Sequence, residues 1–198
     1  EQQLPLPPIS QPSFMIRATE MHESITNIID LTYLYEYREP TIAILYEPVR
    51  TWAGRLQLEK DTVSYLVLSI DLQAHTFTSI FSVNNLPYNV RTIIPLRDPI
   101  GGSLLIGANE FIHVDSQGRV NGVFVNPLHS ISSELELKDQ SSLTLSLEGC
   151  QAHQLDGGAD DQVLIVLESG ELLTLRFHIE SRKVHELTVS KVPKDITI

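Results

Sequence analysis

From Phe14 onward the chain is written in short apolar runs broken by Pro, Gly, Asn and Asp. The clearest are Thr41–Tyr46 (TIAILY), Tyr65–Ile70 (YLVLSI), Phe77–Val83 (FTSIFSV), Ser103–Ile106 (SLLI), Val120–Val125 (VNGVFV) and Val163–Leu167 (VLIVL). Runs this short, rich in β-branched and aromatic side chains and bounded by turn formers, predict strands. A helix would need a 3.6-residue stripe sustained over ten or more positions. Only Glu23 to Tyr37 offers one, through Ile25, Ile28, Ile29 and Leu31. Its aromatic and β-branched content, with Pro40 close behind, favours strand there too. The chain reads as all-β.

The last third shows hairpin logic. Gln162–Glu168 reads as a strand, Ser169-Gly170 as a two-residue turn and Glu171–Ile179 as the returning strand. A second turn over Glu180–Lys183 leads into Val184–Val189. Apolar residues at consecutive positions of the first strand predict burial on both faces, as in stacked sheets.

A repeat lies behind this pattern. Similar apolar strands begin near Thr41 (TIAILYEP), Ser103 (SLLIGANE) and Val163 (VLIVLESG), each followed by a turn and an amphipathic partner. Each also follows another strand-like run, near Ile28–Leu31, Val90–Ile94 and Ala152–Leu155. Units of four strands at this period predict β-propeller blades with long inserts. Three units cannot close a ring, so a propeller fragment is expected, with blades near 25–84, 88–126 and 141–190. Residues 1–13 carry four prolines (Pro5, Pro7, Pro8, Pro12) and read as an extended lead-in to a partial propeller over 14–198.

Composition narrows the function. At 42% hydrophobic and 20% charged, the 198 residues carry enough apolar side chains for a core. No apolar run approaches the roughly 18 residues that cross a bilayer. The N-terminal EQQLPLPPISQPSF lacks the basic and apolar regions of a signal peptide. A single cysteine, Cys150, and no N-x-S/T site fit a reducing compartment. A start at Glu1 suggests a piece of a longer chain. Fourteen Lys and Arg against 25 Asp and Glu give a net charge of −11, which repels nucleic acid. Residues 131–171 concentrate the acidity, with nine carboxylates against Lys138 alone, while Arg182, Lys183, Lys191 and Lys194 form a mildly basic end.

Chemistry-bearing motifs are scarce. The seven histidines (His22, His75, His113, His129, His153, His178, His185) include no H-x-x-x-H, and Cys150 with His153 supplies two metal ligands where structural zinc wants four. Three residues apart on a strand, Cys150 and His153 also face opposite ways, which argues against a nucleophilic pair. Gly102 and Gly107 have the P-loop spacing but are followed by Ala108-Asn109 instead of lysine. The segment 156–161 (DGGADD) lacks calcium-loop spacing and reads as a solvated loop. Glu134 and Glu136 share a strand face without an apolar pocket, and no G-x-S-x-G elbow occurs. No catalytic residue, metal site or cofactor is expected, and the interface residues are unassigned. Trp52, the one tryptophan, reads as a packing residue beside its blade, with an interface anchor as the rival.

Several of these segments carry a resemblance. Glu39-Pro40-Thr41, Ala43–Pro48, Thr51–Arg55, Asp61–Ser64, Asn85–Tyr88, Pro99–Gly102, Gly107–Glu110 and Gly122–Asn126 resemble the largest subunit of the cleavage and polyadenylation specificity factor. The likeness covers about residues 14 to 190; the acidic stretch 156–161 departs from it. It implies a nuclear, non-enzymatic scaffold of three β-propellers of the seven-bladed type, this chain lying within the first. It also implies WD-repeat and zinc-finger subunits as partners, with pre-mRNA reached through the complex. Related triple-propeller scaffolds serve DNA-damage ubiquitin ligases and the spliceosome, and are the first alternative. A propeller enzyme such as a glycosidase, needing two convergent carboxylates, is the second.

Overall fold

The computed structural model describes residues 15–155 and 160–192; the lead-in expected over 1–13, most of the 156–161 loop and Lys194 lie outside them. The described chain is all-β, with three separate sheets. The first contains β1 (Ile28–Tyr33), β2 (Thr41–Tyr46), β3 (Val63–Asp71) and β4 (Thr76–Leu86). The second contains β5 (Thr92–Pro95), β6 (Ser103–Ile106), β7 (Glu110–Val114), β8 (Val120–Phe124) and β9 (Lys138–Asp139). The third contains β10 (Gln151–Gln154), β11 (Gln162–Val166), β12 (Leu172–Glu180) and β13 (Lys183–Lys191). Strands within each sheet follow chain order, and every neighbouring pair is antiparallel except β8 with β9. Two helices of one turn, α1 (Ala18–Met21) and α2 (His129–Ser132), complete the regular structure with two 3-10 turns.

Period-two alternation explains the stacking. In β2, Ile42, Ile44 and Tyr46 point to the outer face of the first sheet, where Ile25 of the preceding segment covers them. Ala43 and Leu45 point the other way, with Val63, Tyr65 and Val67, onto Leu105, Ile112 and Val114 of the second sheet. In turn Leu104, Ile106 and Phe111 pack against Val163, Ile165, Leu173, Leu175 and Phe177 of the third. The repeated runs at Thr41 and Ser103 are thus the second strands of their sheets, buried at every position.

Polar side chains join the sheets where apolar ones do not. The Ile93 N–H donates to Asp30 Oδ2 at 2.8 Å, and the Asp98 N–H donates to Glu36, tying the second sheet to the first. The Gln154 amide takes both backbone groups of Arg97, at 2.7 and 3.1 Å. The Gln140 amide does the same for Val189, at 2.8 and 3.2 Å. Tyr65 and Ser103 share a buried hydroxyl hydrogen bond of 2.7 Å between the first two sheets. The carboxylate and amide bonds satisfy backbone groups that the ladders leave open.

Three expectations need correction. The β11–β12 turn spans Glu168 to Gly170, closed by Leu167 N–H to Glu171 O and Gly170 N–H to Leu167 O. It is a three-residue loop, not the two-residue Ser169-Gly170 turn, because the ladder already breaks at Leu167. On β11 only Val163 and Ile165 are buried, while Leu164 and Val166 on the other face are half-covered. The second sheet carries a fifth strand, β9, delivered by the excursion from Val125 to Leu137, which the apolar runs did not reveal.

Gly102 turns into β6 at φ +70°, and a Cβ there would sit 2.2 Å from the Val114 carbonyl oxygen. Gly170 has φ +82° with open space around it. We expect Gly170→Ala to cost about 1–2 kcal/mol from left-handed strain alone. Gly102→Ala should cost more, since backbone must also move. Thermal melting of the two full-length variants checks the order.

Candidate protein-interaction site

The antiparallel order places the β2–β3, β4–β5 and β6–β7 connections at one end of the sheets. The excursion after β8 joins them. The loop 47–62 is held by a buried carboxylate: Glu47 Oε1 accepts from Thr51 N–H at 3.1 Å and from Thr62 Oγ1 at 2.8 Å. Thr51 Oγ1 donates across the loop to Glu59 O at 2.8 Å. These bonds fix the loop's path, so Trp52 is free to face outward and is 59% exposed. The packing reading of Trp52 is therefore wrong. Its ring lies under the Arg55 guanidinium, 5.7 Å from the centroid, a cation–π contact at the surface.

Between these loops opens a cavity of about 790 Å³. Leu56, Tyr88, Leu128, Ile131 and Leu147 form apolar walls, with Arg91 and Glu148 at its margin. Leu56 also borders a second hollow of about 460 Å³, with Leu58, Lys60, Asp61, Glu134 and Glu136. The two form one groove across the first and second sheets.

The groove's shape depends on the excursion 125–137, which carboxylates hold from below. Glu110, fully buried at the start of β7, meets His129 of α2: Nδ1 lies 2.9 Å from Oε2. His129 Nε2 donates to Leu135 O at 3.0 Å, and the ring stacks on Phe124 at 4.7 Å. Asp61 reaches over from the first sheet's loop, accepting from Ser133 Oγ at 2.6 Å and from Glu134 N–H at 2.9 Å. Gly107 makes room for the carboxylate, since a Cβ there would lie 1.9 Å from Glu110 Oε1.

A carbonyl only accepts, so Nε2 carries a proton, and Nδ1 faces a carboxylate. The pair therefore shares one further proton. Burial raises the Glu110 carboxyl, and His129 only partly opposes it. Burial alone would lower His129, but the Glu110 and Leu135 hydrogen bonds outweigh it and hold the imidazole above its usual value. Neither residue was singled out from sequence as a pair. They are distant along the chain, and the one local hint is a carboxylate leading a strand that carries three apolar residues and His113, Glu110–Val114.

The remaining histidine and cysteine candidates do not assemble into a site. His113 is buried in β7, where Nε2 donates to Gly101 O at 2.9 Å, and burial pushes it toward the neutral form. Cys150 is half-buried just before β10, and burial pushes its thiol up, the opposite of nucleophile activation. His153 on β10 is exposed. Among the described residues, no three His, Cys, Asp or Glu side chains are placed to share a metal. At the basic end, Lys191 pairs with Glu171 at 3.7 Å.

Comparison with known proteins supplies the family. The chain is 38% identical over 184 residues to the protein CFT1 of Candida albicans, covering 92% of this chain and 13% of that one. It is 40% identical over 182 residues to cft1 of Aspergillus niger, and 37% over 188 residues to cft1 of Schizosaccharomyces pombe. The chain belongs to the CFT1 family. This is the family of the largest subunit of the cleavage and polyadenylation specificity factor, which its motifs resemble. The chain spans 13% of the length of these CFT1 proteins. No family profile matches it.

Two outcomes follow for this CFT1 segment. The folded Glu110–His129 pair keeps its proton above the value near 6.5 at which a free imidazole loses it. The folded state then binds more protons than the unfolded one, so stability falls as pH rises from about 6.5 through the folded value. Melting of the full-length protein between pH 6 and 9 should show this decline, and Glu110→Gln should flatten it. Trp52→Ala, at an exposed position, should change stability by less than about 0.5 kcal/mol in the same assay.

Proposed function

We propose that the three sheets are consecutive blades of a β-propeller, near 25–84, 88–126 and 141–190, within a larger non-enzymatic scaffold. The scaffold serves nuclear cleavage and polyadenylation of pre-mRNA, where it holds WD-repeat and zinc-finger subunits. The observation that carries this reading is the 37–40% identity to CFT1 proteins over 91–94% of the chain. In-order antiparallel sheets stacked face to face support the propeller part, because blades pack in that way around a ring. The larger hollow is lined by leucines and isoleucines interspersed with asparagine, serine and threonine side chains, an amphipathic wall that suits docking of a protein segment. Relatives named CFT1 weigh against the DNA-damage, spliceosomal and glycosidase alternatives.

Pre-mRNA is reached through partners in this reading, since a net charge of −11 opposes phosphate contacts. Purifying the tagged full-length protein and identifying its companions by mass spectrometry tests the assignment. Recovery of a WD-repeat and a zinc-finger subunit of the polyadenylation factor is the expected result. Recovery of ubiquitin-ligase or spliceosomal components in their place would overturn it. Charge-reversing Arg91→Glu should leave the affinity of the assembled complex for AAUAAA RNA unchanged in a filter-binding measurement.

A further inference from the structure

The end of the sheets that carries the groove exposes large apolar side chains in a setting of surplus negative charge. Leu58 is 83% exposed, Ile131 65% and Leu128 55%, all beside the two hollows that Leu56 connects. Isolated exposed leucines are ordinary, but several converging on one groove mark an interaction surface. Around them stand five carboxylates, Glu59, Asp61, Glu134, Glu136 and Glu148, against three cations, Lys60, Arg91 and Arg55, the last paired with Glu59 at 3.2 Å. Lys60 is already engaged, its Nζ 3.5 Å from Glu134. Asp61 is spent on Ser133 and the Glu134 N–H, whereas Glu134 itself remains 78% exposed. The groove thus presents apolar anchoring sites inside a negative rim.

We propose that this groove is the docking site for a protein segment in which lysine or arginine residues flank large apolar anchors. The assignment rests on the scaffold reading above and specifies which surface grips and what chemistry it grips. The negative rim disfavours RNA and anionic lipid and favours a cationic strand or helix. The apolar walls would bury the anchors, which carry most of the affinity at protein interfaces. Asp61 and the Glu110–His129 pair hold the 125–137 excursion in place beforehand, so little ordering remains to oppose binding.

A photo-crosslinking amino acid placed at Leu58 or Ile131 of the full-length protein, in cells, identifies the occupant. Both positions should crosslink to one segment of another protein with net positive charge and at least one large apolar residue. Crosslinks to the same chain, to a second copy, to RNA or to an acidic segment would overturn the proposal, as would no crosslink at all. A basic segment from outside the polyadenylation machinery would keep the groove assignment and refute the proposed function. Polyadenylation subunits co-purifying without contacting the groove would do the reverse. As a second measure, a fluorescent peptide of alternating lysine and leucine should bind the purified full-length protein. Glu134→Lys with Glu136→Lys should weaken that binding about tenfold. The same charge change at the opposite end, Glu20→Lys with Glu180→Lys, should leave it unaltered; equal loss in both variants would reduce the effect to overall charge and overturn the claim.

Discussion

Burial of strands on both faces is the constraint from which the rest of the structure follows. A sheet whose second strand is buried at every position, as β2 and β6 are, cannot leave either side in water. Each sheet must therefore be covered twice. The first is covered by the segment around Ile25 and by the second sheet; the second by the first and the third. Burial worth roughly 25 cal/mol per Å² sets the stacking but is non-directional. Direction comes from polar side chains that reach across, Asp30 to Ile93, Gln154 to Arg97 and Gln140 to Val189. A sheet slipped by one residue would lose these bonds as well as its core.

That stacking fixes where the loops emerge and so creates the groove. Val125, Leu135 and Leu137 at the ends of the excursion 125–137 pack on the core, but its middle buries little apolar surface, since Leu128 and Ile131 face outward. It is instead anchored by carboxylates from beneath, Glu110 within the second sheet and Asp61 from the first. A buried pair of this kind gives specificity of placement more than net stability, because desolvation consumes most of the attraction. The consequence is an interaction surface built on irregular backbone yet tied to two rigid sheets. Function and fold meet at Glu110, whose carboxylate requires the bare backbone of Gly107 and places His129.

Much of this was legible in the chain. The starts near Thr41, Ser103 and Val163 fall in the second strand of each sheet, inside the stack, where apolar side chains are needed on at least one face. The all-β class followed from the same runs. The site was far less legible. Glu110 and His129 meet through a loop path that no periodicity encodes. Trp52 was misread because size alone suggested burial, whereas the polar bonds of Glu47 and Thr51 already hold its loop. The strand β9 is two residues long and pairs by backbone alone, so its side chains left no pattern.

On the third sheet Leu164 and Val166 are half-covered and Leu172 is exposed, all on one face. A side-chain-resolution structure of the full-length protein measures what lies against them. Stacking as the governing constraint predicts another antiparallel sheet of about four strands on that face, with all the sheets arranged around a common axis. Water or a helix over Leu164 and Val166, or the three sheets closing on one another as a sandwich, would contradict it.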